Sequence, residues 1–64
     1  MKYQIVGEIK NRLWFWNSNR EFYSNASKAT TFTDKVETEH ELTWIMQHEL
    51  QRYLLDNIRV QIVE

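Results

Sequence analysis

Arg12-Leu13-Trp14-Phe15-Trp16-Asn17-Ser18-Asn19-Arg20-Glu21-Phe22-Tyr23-Ser24 is the stretch on which the fold turns. Residues 12 to 16 read as a strand, and Asn17 to Arg20 as a turn whose polar side chains tolerate left-handed or side-chain-bonded geometry without glycine. Residues 21 to 24 read as the returning strand, with the aromatic pair Phe22 and Tyr23 lying across from the Trp14/Trp16 strand. Ahead of this hairpin, Tyr3, Ile5, Gly7 and Ile9 alternate with Lys2, Gln4, Val6 and Glu8, the period-two pattern of a half-buried strand over residues 2 to 9. Lys10-Asn11 supplies the intervening turn. Residues 25 to 33 have no period and are expected to form an ordered connection.

Further along, the apolar spacing becomes helical. The helix can begin at Asp34, in capping-box spacing with Glu37, or at Thr38, in the same spacing with Glu41. Asp34, Glu37, Glu39 and Glu41 put acidic charge at the positive end of the helix dipole, where it stabilises. On a helical wheel Leu42, Met46, Leu50, Tyr53 and Leu54 share an arc of roughly 120°, the width of a core-facing stripe. Asp56-Asn57 is expected to stop the helix, with Asn57 as a left-handed cap. Ile58, Val60 and Ile62 alternate with Arg59, Gln61 and Val63 in a closing strand. The resulting order, β-β-β-α-β, predicts a small two-layer α+β domain spanning residues 1–64. It has one helix on one face of an antiparallel-rich sheet, with the first and last strands adjacent at the centre.

With 64 residues, the chain can assemble little more than one core. The absence of cysteine excludes a disulfide framework, a thiol nucleophile and a zinc-finger cage. Eight basic against nine acidic residues leave a net charge of −1, so no global field favours phosphate backbones. The longest apolar run, Leu13 to Trp16, is far below the roughly 20 residues of a membrane span, and Met1 to Val6 lacks the apolar core of a signal peptide. A soluble, cytoplasmic protein without membrane association is expected. His40 and His48 lie eight residues apart, outside the spacing of a helical metal pair, and no serine motif or Gly-rich phosphate loop is present. Catalysis, a metal and a cofactor are therefore not expected.

Apolar surface is in excess. Leu13 and Phe15 point to one side of their strand and Trp14 and Trp16 to the other, so whichever pair joins the core, a large apolar pair remains on the open face. With Leu13 and Phe15 inside, that face carries Trp14 and Trp16, with Arg12, Val6 and Val63 beside them, as a patch for a protein partner. Alternatively, residues 25 to 33 fold back and bury the tryptophans. On the helix, Trp44, His48 and Leu55 form a second seam, with Gln51 beside them, fit for a protein partner or a homodimer. Its monomeric alternative covers Trp44 with the connection around Phe32 and Leu55 with a chain terminus. Arg12, Trp14, Trp16, Arg20 and Tyr23 interleave cations with aromatics as single-strand binding sheets do, which makes nucleic-acid or nucleotide binding the less favoured alternative.

Tyr3-Gln4-Ile5-Val6, Trp14-Phe15-Trp16-Asn17 and Ser27-Lys28-Ala29-Thr30-Thr31-Phe32-Thr33 ahead of an acidic helix resemble short open reading frames of phages and prophages in low-GC bacteria. Those read strand, aromatic hairpin, Ser-x-Ala-x-x-Phe-Thr, helix, strand. The chain departs from them in Val36 and in a polar stretch over residues 37 to 41, where an alanine-rich early helix is the pattern. The resemblance implies a non-enzymatic protein that binds and redirects, modulates or inhibits a host protein in the host cytoplasm.

Overall fold

A computed structural model describes residues 1–48 and 55–63. β1 (Lys2–Ile9) lies between β2 (Arg12–Asn17) and a closing strand over Asp56–Val63, numbered β4 below, while β3 (Glu21–Tyr23) flanks β2. All neighbours are antiparallel, in the order β3-β2-β1-β4, and α1 (Lys35–His48) packs on one face. This is the β-β-β-α-β domain that the periodicity predicts. The first and last strands are adjacent as expected, but not at the centre. The hairpin already occupies one flank of β1, so β4 takes the other flank and becomes an edge.

Both hairpin turns use left-handed backbone without glycine. Lys10 and Asn11 have φ of 50° and 66°, as a two-residue loop matched to the strand twist requires. In the second turn the Arg20 N–H donates to the Asn17 carbonyl at 2.9 Å, and Arg20 itself sits at φ 71°. Asn17 holds the turn from within, its Oδ1 accepting from the Asn19 N–H at 2.9 Å.

The connection after β3 is ordered, as its reading predicts. One 3₁₀ turn, Ala26–Lys28, is capped by Asn25, whose Oδ1 accepts from the Ser27 N–H at 3.0 Å. Thr30 then donates to the Trp16 carbonyl at 3.0 Å, and Tyr3 and Phe32 exchange backbone hydrogen bonds of 2.8 and 2.7 Å. Residues 30 to 32 thus satisfy backbone groups where β1 and β2 part, and they carry Phe32 into the core at 8% exposure.

Of the two helix starts, Asp34 is the cap. Its Oδ1 accepts from the N–H groups of Val36 and Glu37 at 2.8 and 3.2 Å. Thr38 lies inside the first turn, fully buried, its hydroxyl donating to the Asp34 carbonyl at 2.7 Å. The core stripe differs from the predicted one: Thr38 and Ile45 are buried and Leu42 packs beside them, whereas Met46 is 46% exposed. The helix is rotated toward Trp44, which brings Glu41 and Trp44 within reach of Trp16. Leu50, Tyr53 and Leu54 of the predicted stripe lie outside the described residues.

Asn57 is left-handed, at φ 54°, but within β4 and not as a helix cap. Val6 pairs with Arg59 and Glu8 with Asp56, so Asn57 and Ile58 together oppose Gly7 in a β-bulge. Gly7 permits this closure, because a Cβ there would stand 3.2 Å from both Ile58 Cγ1 and Leu55 Cδ2. Ile5, Trp16, Phe22, Phe32, Ile45 and Leu55 make up the buried core.

Candidate functional site

Strand register assigns every side chain to a face. Trp14 and Trp16 point toward α1, with Gly7 opposite Trp14 and Phe22 opposite Trp16. Trp16 is fully buried; its ring stands edge-on to Phe22 at 5.1 Å and tilted to Trp44 at 6.4 Å. Its indole N–H donates to Glu41 Oε2 at 2.9 Å. Trp14 is half-buried and packs on the same core. An outward Trp14/Trp16 patch therefore does not form. An indole removes about 150–250 Å² from water at about 25 cal/mol per Å², more than leucine offers, so the larger pair is favoured inside. Glu41 supplies the acceptor without which a buried N–H would be costly.

The pair left over is Leu13 and Phe15, half-buried on the face away from α1. In register, Tyr23, Phe15, Val6 and Arg59 run side by side across the four strands on that face. Val6, at the middle of the row, is fully buried. Two polar borders flank it. On one side Arg59 Nη1 donates to Glu8 Oε2 at 3.0 Å and to the Asn57 carbonyl at 2.9 Å, and Asn57 Nδ2 donates to Glu8 Oε2 at 3.1 Å. On the other, the connection after β3 is tied down by Asn17 Nδ2 on the Lys28 carbonyl, at 2.6 Å, and by Gln4 Nε2 on Thr31 Oγ1, at 3.3 Å.

The predicted helical seam separates. Trp44 and His48 do meet, with rings stacked at 4.7 Å and 14°, and His48 Nδ1 lies 3.0 Å from the Trp44 carbonyl oxygen. The Arg20 guanidinium sits 4.5 Å above the Trp44 ring, a cation–π contact absent from the sequence reading. Leu55, however, is 6% exposed and belongs to the core beside Gly7. It precedes β4 directly, so it enters the sheet's apolar side and leaves the helix surface. Gln51 lies outside the described residues.

The nucleic-acid set is also divided. Arg12 is exposed on the helix side, Trp16 is sealed, and Arg20 is engaged with Trp44. Tyr23 stands on the opposite face, its hydroxyl accepting from Asn19 Nδ2 at 2.7 Å. Because Tyr23 pairs with Phe15 and Trp16 with Phe22, Tyr23 and Trp16 lie on opposite faces of the sheet. Among the described residues no three His, Cys, Asp or Glu side chains gather, and no helix is long and apolar enough to cross a membrane. Comparison with protein-family models, curated proteins and solved structures finds no match for this chain.

Proposed function

We propose that this chain is a non-enzymatic interaction module that binds a host protein through the sheet face opposite α1, with Leu13 and Phe15 at its centre. One observation carries the proposal: a surplus apolar pair sits half-buried on a face that the helix does not cover. The described residues enclose no pocket, and an open face bordered by the Glu8–Arg59 pair suits a broad protein surface better than a small molecule. Phage origin, and an effect that modulates or inhibits the host partner, rest on the likeness of Tyr3–Val6, Trp14–Asn17 and Ser27–Thr33 to short phage reading frames.

Affinity capture from bacterial lysate tests it, using the natural chain and the variants Leu13→Glu and Phe15→Glu, with and without nuclease. The expected result is one protein held by the natural chain after nuclease treatment and lost from both variants, whose circular dichroism matches the parent. Equal capture by folded variants would refute the assigned face, and a catch that disappears with nuclease would refute a protein partner.

A further inference from the structure

β4 forms an edge of the sheet over eight residues, whereas the opposite edge, β3, has three. In an antiparallel sheet the N–H and C=O of one residue point to the same side of the strand, and successive residues alternate. Tyr3 directs both of its groups at Phe32, away from β4. Lys2, Gln4 and Val6 therefore direct theirs at β4, where they face Val63, Gln61 and Arg59. By the same alternation Ile58, Val60 and Ile62 turn their backbone groups outward, and among the described residues no partner meets them.

Sheet edges of this length are usually guarded by lysine, proline, an inward-turned charge or a bulge, and the bulge at Asn57 guards only the start of β4. Here Arg59 has its guanidinium committed to Glu8 and the Asn57 carbonyl, and no lysine or proline occurs in β4. Ile62 is 57% exposed at this edge. The five residues from the second bulge position onward, Ile58-Arg59-Val60-Gln61-Ile62, read apolar-polar-apolar-polar-apolar in both directions about Val60.

We propose that β4 pairs antiparallel with β4 of a second copy of this chain, about a two-fold axis at Val60. In that register the three outward-facing residues meet as hydrogen-bonding pairs, Ile58 with Ile62 of the second copy and Val60 with its own counterpart. Arg59 then stands across from Gln61, which avoids the direct Arg59–Arg59 apposition that a shift of one residue toward the bulge would create. Ile58 and Ile62 cover each other on the helix side, so the exposed Ile62 gains an apolar neighbour. A ladder of five residues spans only about 17 Å. Its area falls below the ~1,200 Å² of a stable interface, so the dimer is weak and concentration-dependent. This edge is separate from the Leu13/Phe15 face, and the proposal stands or falls independently of it.

Sedimentation equilibrium from about 10 μM to about 1 mM, the range of a weak interface, reads the mass, and amide exchange reads the contact. The expected result is a rise toward twice the monomer mass. The Ile58, Val60 and Ile62 amides should slow by about tenfold where roughly nine in ten chains are paired, with Arg59, Gln61 and Val63 protected throughout. Ile62→Pro removes an outward N–H that the monomer does not use, so it should keep the parent's circular dichroism and remain monomeric. A monomer mass for the natural chain at the highest concentration, association that persists in Ile62→Pro, or slowing confined to amides outside β4 would each overturn the proposal.

Discussion

Two substitutions made in separate chains, Trp16→Ala and Phe15→Ala, test which side of β2 holds the domain together. Trp16 is fully buried between Phe22, Trp44 and Glu41, so truncation removes an entire indole and strands the carboxylate that accepts its N–H. Losses of this kind run to about 3–5 kcal/mol. Phe15 is half-buried on the opposite face, between Val6 and Tyr23 in register, and its partial burial supports a loss of about 1–2 kcal/mol. A chain of 64 residues has a total stability of only about 3–10 kcal/mol. Trp16→Ala is therefore expected to lose a large share of that stability, while Phe15→Ala keeps most of it. Urea titration followed by far-ultraviolet circular dichroism gives both values by linear extrapolation. If Phe15→Ala proved as destabilising as Trp16→Ala, the assignment of the indoles to the core would be wrong.

Three smaller perturbations address the interactions that set the helix and the turns. Glu41→Ala leaves the buried Trp16 N–H without its acceptor and should cost about 1–3 kcal/mol, whereas in a Trp16→Phe background the same change should cost little, which a double-mutant cycle in urea would show. Asp34→Ala removes the cap on the Val36 and Glu37 amides and should lower stability by about 1 kcal/mol, read as a fall in the denaturation midpoint, while Asp34→Asn should retain most of it. Replacing Lys10-Asn11 with Asn-Gly relieves two left-handed positions and should raise stability by about 1–2 kcal/mol; an unchanged midpoint would contradict the turn geometry.

Much of the architecture was legible because each element carries a local signal. The alternation over residues 2 to 9, the polar turn at Asn17–Arg20 and the carboxylate at Asp34 act through neighbours a few residues away, and each produced the element expected of it. The helix stripe was misplaced by part of a turn, since Ile45 and Met46 are equally apolar and only contact with the sheet distinguishes the buried one from the exposed one. Asn57 shows the same division: its residue type foretold a left-handed backbone, but its use as a bulge depended on Gly7 lying opposite. The Arg20–Trp44 contact joins a turn to a helix across more than twenty positions, and no local pattern announces such a pairing.

From the residues alone came the kinds of element, their order and the certainty that one large apolar pair of β2 would be left outside a single helix–sheet layer. Alternation puts Leu13 and Phe15 opposite Trp14 and Trp16, but it is symmetric and does not say which pair turns inward. That choice belongs to the assembled molecule, where Phe22, Trp44 and Glu41 converge to fill and satisfy an indole-sized space on one face only. Side-chain volume and one hydrogen-bond acceptor, brought to Trp16 from β3 and α1, broke a tie that local periodicity left open.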